Sequence, residues 1–158
     1  MRSLLSFPNP VNEVAARTVA AGVLVLCTLV ALAGWTWLLV PIALGFIARV
    51  ASGPRFSPLG LLATRVIVPR LPFPPRYVAG PPKRFAQAMG AVMATTAAVL
   101  ALGLGYGTAG RVVAGLIVVA ATLEAAFGIC IGCRIFAVLM RRGLVPESVC
   151  LDCARVAG

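Results

Sequence analysis

The sequence contains no histidine, and only four of its 158 residues are acidic. Without histidine no Ser-His-Asp or Cys-His arrangement can form, and four carboxylates in different surroundings make no catalytic dyad. A hydrolase is therefore not expected. Charge of any kind is scarce: 11% of residues are Asp, Glu, Lys or Arg, where a soluble domain carries roughly a quarter. Hydrophobic residues make up 61% of the chain, so the expected solvent is lipid.

The charge that is present is one-sided. Fourteen Lys and Arg give a net charge of +10. In a soluble chain that balance would suggest nucleic acid, but here the basic residues flank apolar runs. They read as topology determinants and headgroup contacts, and no nucleic-acid partner is expected. The expected fold is an all-α membrane protein, a single membrane domain embedded in the lipid bilayer. Its spans fall at about 14–33, 35–50, 85–104 and 112–134, with a cytosolic segment at 49–84 and a cytosolic tail at 135–158.

Between Thr18 and Ala48 lie 31 residues without a charge. As one helix they would run about 46 Å, against a hydrocarbon core of about 30 Å. Gly34, beside Trp35 and Trp37, divides the run into a tight hairpin of two short arms, with Pro41 as a candidate kink in the second. A span followed by a re-entrant arm is the other reading. Ala31-Leu32-Ala33 has the small-residue pattern of a signal-peptidase site, but the apolar run continues to Ile47, so the segment is expected to remain as a span.

From Arg49 to Arg84 there are seven basic residues and no acidic one, which assigns this segment to the cytosol. Within it, Pro58 to Val68 reads as a helix lying in the membrane interface. Six of the twelve prolines, between Pro69 and Pro82, make an extended connector. The third span is expected after Pro81-Pro82, and the glycines at 103, 105, 107 and 110 form the turn to the fourth. Only Arg111 lies in an external turn, so both termini are expected on the cytosolic side of a bacterial cytoplasmic membrane.

Chemistry is concentrated in cysteine. Cys27 lies within the first span and reads as a small inert hydrophobe. Cys130-Ile-Gly-Cys133 ends the apolar part of the fourth span, and Cys150-Leu-Asp-Cys153 lies in the tail. This C-x2-C-x16-C-x2-C spacing matches a four-thiolate metal site for zinc or an iron-sulfur cluster. Alternatively each pair is a dithiol that exchanges electrons or sulfane sulfur. A cytosolic location disfavours permanent disulfides. Gly128 and Gly132 either interrupt the helix, so that Cys133 opens a new segment with Arg134 stabilising its thiolate, or admit a close helix neighbour. Pro146 and Glu147 read as a helix start that places Cys150 in a first turn. Asp152 works against that dipole by raising thiol pKa.

Glu124 is the one acidic residue within a span, where an ionised carboxylate costs about 2.5–3.5 kcal/mol on insertion scales. It requires a partner, and Arg17 and Arg111 are candidates. It lies six residues before Cys130, so a regular helix points it elsewhere and direct proton transfer to a thiol is not expected.

Three segments carry a resemblance: Val11-Asn-Glu-Val-Ala-Ala-Arg17, Pro81-Pro-Lys-Arg-Phe-Ala-Gln87 and Leu123-Glu-Ala-Ala-Phe-Gly-Ile-Cys-Ile-Gly-Cys133. Together they resemble an uncharacterised bacterial membrane family, domain of unknown function 4395. The resemblance implies a thiol or sulfur context, with a thioredoxin-like or rhodanese-like partner. It marks Lys83, Arg84, Glu124, Cys130 and Cys133 as functional positions, and Cys150 and Cys153 lie beyond it.

The expected function is a membrane-embedded thiol-disulfide or sulfane-sulfur relay, without a cofactor, through Cys130, Cys133, Arg134, Cys150 and Cys153. One alternative is a membrane scaffold in which Cys130, Cys133, Cys150 and Cys153 bind zinc or an iron-sulfur cluster. The other is a transporter subunit for a small sulfur-containing anion that uses Glu124. Four short helices are too few to enclose a pore, so transport would need a homo-oligomer.

Overall fold

The computed structural model describes residues 7–150. Four helical stretches are long and apolar enough to cross a membrane: Glu13–Ala33, Thr36–Arg70, Gly80–Gly103 and Gly107–Phe127. The protein is an all-α membrane protein.

The first stretch opens with α1 (Glu13–Thr28), capped by the Asn12 side chain, which accepts from the Val14 N–H at 3.0 Å. Thr18 and Thr28 donate back to the Val14 and Leu24 carbonyls at 2.8 and 2.7 Å, so neither hydroxyl is left unpaired in lipid. The chain reverses at Gly34 and continues through a short turn into α2 (Leu39–Ser52). Pro41 falls in the first turn of α2, where its missing N–H has no partner to lose, so it does not break the arm. The hairpin arms separate beyond the turn: α1 lies along a later helix, α5 (Gly107–Phe127), and α2 lies along α4 (Gly80–Ala98).

Helix α3 (Pro58–Leu62) continues through a wider π turn, Ala63–Ile67, and a tighter 3-10 turn, Val68–Arg70. It packs against α1 through Leu59, while Ala63 is buried in the core. The proline-rich connector then reaches back to the N-terminal segment. Tyr77–Val78 (β2) pairs antiparallel with Val11–Asn12 (β1), and the Gly80 N–H donates to Asn9 Oδ1 at 3.0 Å.

Three of the four stretches differ from the expected spans. The second, Thr36–Arg70, runs on past residue 50 through α3. The third begins at Gly80, because Pro81 and Pro82 occupy the first turn of α4 and do not precede it. The fourth runs Gly107–Phe127 and stops at Gly128, whose φ of +68° is a left-handed conformation that favours glycine. A separate helix, α6 (Ile131–Arg141), follows and folds back on the start of α4. Gly132 makes that contact possible: a Cβ there would stand 2.6 Å from both Ala86 Cα and Cβ. Phe136 packs on Phe85 with ring centroids 5.7 Å apart. Both roles considered for the glycine pair are therefore realised, Gly128 interrupting the helix and Gly132 admitting a neighbour. Gly132→Val is expected to push α6 off α4 and destabilise the protein by about 1–3 kcal/mol, seen as a lower melting temperature in detergent.

Candidate functional site

One end of the bundle gathers the start of α1, the end of α2, the start of α4, the end of α5 and the start of α6. Arginines close the helix ends here. Arg17 donates to the Ala125 and Ala126 carbonyls at 2.9 and 3.0 Å, and Arg84 donates to the Val50 carbonyl at 3.0 Å. At the opposite end Arg111 does the same for the Ala31 carbonyl at 2.9 Å. Arg17 and Arg111 therefore serve carbonyls that a helix C-terminus leaves free, and neither is the partner of Glu124.

That partner is Lys83, whose Nζ lies 2.6 Å from Glu124 Oε1. Helices α4 and α5 are antiparallel neighbours, so the first turn of one faces the last turn of the other. Each charge sits at the wrong end of its own helix dipole, a cation at an N-terminus and an anion at a C-terminus. Both side chains are largely withdrawn from solvent, at 8% and 16% exposure. A pair that violates the local rule twice is an indication of a site.

The helix break carries the cysteines to this pair. Cys130 is the N-cap of α6 and its sulfur accepts the Cys133 N–H at 3.4 Å. Cys133 lies in the first turn, where the dipole favours negative charge. The Cys130 thiol is held below the usual thiol range, chiefly because the Cys133 side chain donates a hydrogen bond to it; burial and Glu124 oppose this, while Lys83 and the Cys133 backbone assist. The Cys133 thiol is pushed up, first by the same hydrogen bond and then by burial. The one contact thus moves the two thiols in opposite directions, Cys130 toward the thiolate and Cys133 toward the thiol.

Two expectations change here. Glu124 and Cys130 line one cavity, because Gly128 reverses the chain between them and the helical spacing of six residues no longer applies. Arg134 is exposed and lines the outer pocket beside Cys133, but Lys83 is the cation that acts on Cys130. Arg84 caps α2 and does not join the cluster.

Arg49 belongs to the cluster, although its place in a basic run reads only as a topology signal. It is 4% exposed, donates to Gln87 Oε1 at 2.8 Å and Ser57 Oγ at 2.9 Å, and covers the Phe46 ring. It lies within electrostatic reach of Glu124, and Lys83 within reach of both cysteines. Two cations and one carboxylate leave one positive charge in a low-dielectric setting. A Cys130 thiolate brings the cluster to neutrality.

The tail pair is only partly described. Cys150 is buried and disulfide-bonded, so in this state it offers no thiolate ligand. It caps the single turn Glu147–Val149, so the helix expected to begin at Pro146 is one turn that ends before Cys150. Cys153 lies outside the described residues, among which no three His, Cys, Asp or Glu side chains cluster to hold a metal ion.

The family described as a domain of unknown function (DUF4395) matches residues 11–141. The chain belongs to it. The match takes in every member of the cluster, Arg49, Lys83, Glu124, Cys130 and Cys133, and stops short of Cys150 and Cys153. No curated protein and no solved structure matches the chain. The DUF4395 region thus coincides with the bundle and α6, and the site lies wholly inside it.

Proposed function

We propose that this protein is a membrane-embedded dithiol relay on the cytosolic face of the membrane, with Cys130 as the attacking sulfur and Cys133 as the resolving one. The observation that carries the reading is the position of Cys130 at the start of α6, its sulfur accepting from Cys133 beside the Lys83–Glu124 pair. The cytosolic assignment rests on charge: Arg17, Arg49, Lys83, Arg84 and Arg134 gather at the site's end, and Arg111 stands at the other.

The Cys130 thiolate attacks one sulfur of a partner disulfide and the partner's second sulfur leaves as a thiolate. Cys133 then gives up its proton and attacks Cys130 in the mixed disulfide. The partner departs as a dithiol and Cys130–Cys133 is oxidised. Run backwards, a partner dithiol reduces the pair through the same intermediate. In a sulfane-sulfur version the Cys130 thiolate attacks the outer sulfur of a partner persulfide, the partner's own sulfur leaves as a thiolate, and Cys130 is left as a persulfide whose negative charge the cluster also balances. An outer pocket of about 360 Å³, lined by Glu13, Lys83, Cys130, Cys133 and Arg134, admits the partner's reacting end. A thioredoxin-like or rhodanese-like protein supplies that chemistry.

With thioredoxin-like protein added, a Cys133→Ser variant is expected to accumulate a mixed disulfide through Cys130 that dithiothreitol reverses. Trapping by Cys130→Ser instead would reverse the order of attack. Trapping by neither variant would overturn the relay.

A further inference from the structure

Cys130 also lines a second space, on the side away from the outer pocket. An internal cavity of about 330 Å³ lies among α1, α2, α4 and α5, with Cys130 and Gly132 at one end and walls that include Val23, Phe46, Met93 and Ile117. Its polar groups are few: Arg49, Gln87, Glu124 and the Cys130 sulfur. Arg49 uses Nε on Gln87 and Nη1 on Ser57, and its Nη2 makes no hydrogen bond among the described residues. Gln87 accepts with Oε1, which leaves its amide N–H group likewise without a partner there. Arg49, almost fully buried, and Gln87 line this apolar chamber and also a neighbouring space of about 240 Å³ beside Pro8, Pro54 and Thr64, so their remaining donors stand between the two. That lining suits an apolar molecule with a hydrogen-bond-accepting end.

The chamber also has a lipid-side edge. Leu116 and Ile131 line it yet are 57% and 36% exposed, and Leu116 lies within a membrane-crossing helix. A ligand can therefore enter sideways from the bilayer and leave a hydrocarbon tail outside. What it meets is a dithiol, which requires a two-electron acceptor.

We propose that this cavity binds a lipid-soluble quinone, with Arg49 and Gln87 donating to a ring carbonyl oxygen, and that the quinone oxidises the Cys130–Cys133 dithiol. The inference rests on the relay reading and gives it a direction, partner dithiol in and quinol out. In the step, the Cys130 thiolate and the Cys133 thiol form the S–S bond. Two electrons and the Cys133 proton pass to the quinone, giving a quinol monoanion that takes one further proton from water. Charge stays balanced throughout. The negative charge that leaves Cys130 reappears on the quinone oxygen beside Arg49, so the two-cation, one-carboxylate cluster is neutralised through the electron transfer, until the quinol takes its second proton.

The test uses full-length reduced protein in detergent, without oxygen, and decylubiquinone, whose fully substituted ring leaves no position for thiol addition. Expected are one quinol per chain in a single turnover and a new Cys130–Cys133 disulfide. Arg49→Lys keeps the charge but loses the forked donor, and is expected to raise the half-saturating quinone concentration about tenfold. Leu116→Trp is expected to slow quinone reduction by narrowing the mouth. Bis(2-hydroxyethyl) disulfide is run in parallel on the unmodified protein. If it oxidises the pair while the quinone stays oxidised, the quinone inference fails and the relay stands. If neither reagent oxidises the pair, both fail. Quinone reduction that is unchanged in both variants would remove the cavity as the site.

Discussion

At neutral pH, Cys130 is expected to react with methyl methanethiosulfonate at least about tenfold faster than Cys133, although Cys133 is the less buried of the two. Access favours Cys133, but ionisation favours Cys130, and the thiolate is the reacting form. The Cys133 hydrogen bond lowers the Cys130 pKa and raises that of its own donor, so the same contact separates the two sulfurs in opposite directions. A depressed pKa keeps the thiolate populated below the ordinary thiol range. Modification of Cys130 should therefore persist as pH falls through a window where Cys133 is silent. Lys83→Met removes a cation that favours the thiolate, so the inflection should move to higher pH. Peptide mapping by mass spectrometry over about pH 5 to 9 reads both sites separately. Faster labelling of Cys133, or an inflection that ignores Lys83, would remove Cys130 as the attacking group. Cys27, fully buried among the helices, should stay unlabelled throughout.

The membrane-crossing helices are legible because charge is scarce along their apolar runs, and lipid penalises an unpaired charge more strictly than any propensity. Their ends were less legible. Pro81 and Pro82 read as the lead-in to a span from about residue 85, yet they lie within the first turn of α4, and that shift turns Lys83 from a connector residue into a buried one. The relation of Glu124 to Cys130 is hidden for a related reason. Helical periodicity does not continue across Gly128, and one left-handed residue is enough to turn the following side chains toward the same cavity. The glycine itself was a visible signal, but two outcomes were compatible with it. Arg49 illustrates a different limit. A basic residue near a helix end snorkels in most membrane proteins, and only the tertiary contacts with Gln87, Ser57 and Phe46 distinguish it. The two-residue ribbon joining Val11–Asn12 to Tyr77–Val78 is too short to leave any periodic trace.

Lys83→Met is expected to destabilise the protein by about 3–5 kcal/mol, because it strands a largely buried carboxylate. Glu124→Met alone strands Lys83 and the nearby Arg49, which together outnumber the remaining negative charge. The double variant Lys83→Met with Glu124→Met removes the pair as a unit. It should recover most of the loss, since two methionines fill similar volume without the cost of desolvating ions. Chemical denaturation in mild detergent, analysed as a double-mutant cycle, measures that coupling. A double variant no more stable than Lys83→Met would mean that the 2.6 Å contact contributes no energetic coupling. Restored stability should not restore chemistry. With Lys83 gone, the cation that supports the Cys130 thiolate is missing even when the helices pack normally, and Cys130 should label slowly at neutral pH. A folded but unreactive double variant would separate the two roles of the pair: α4 and α5 can be held together by apolar contact alone, whereas the ionised sulfur requires the lysine.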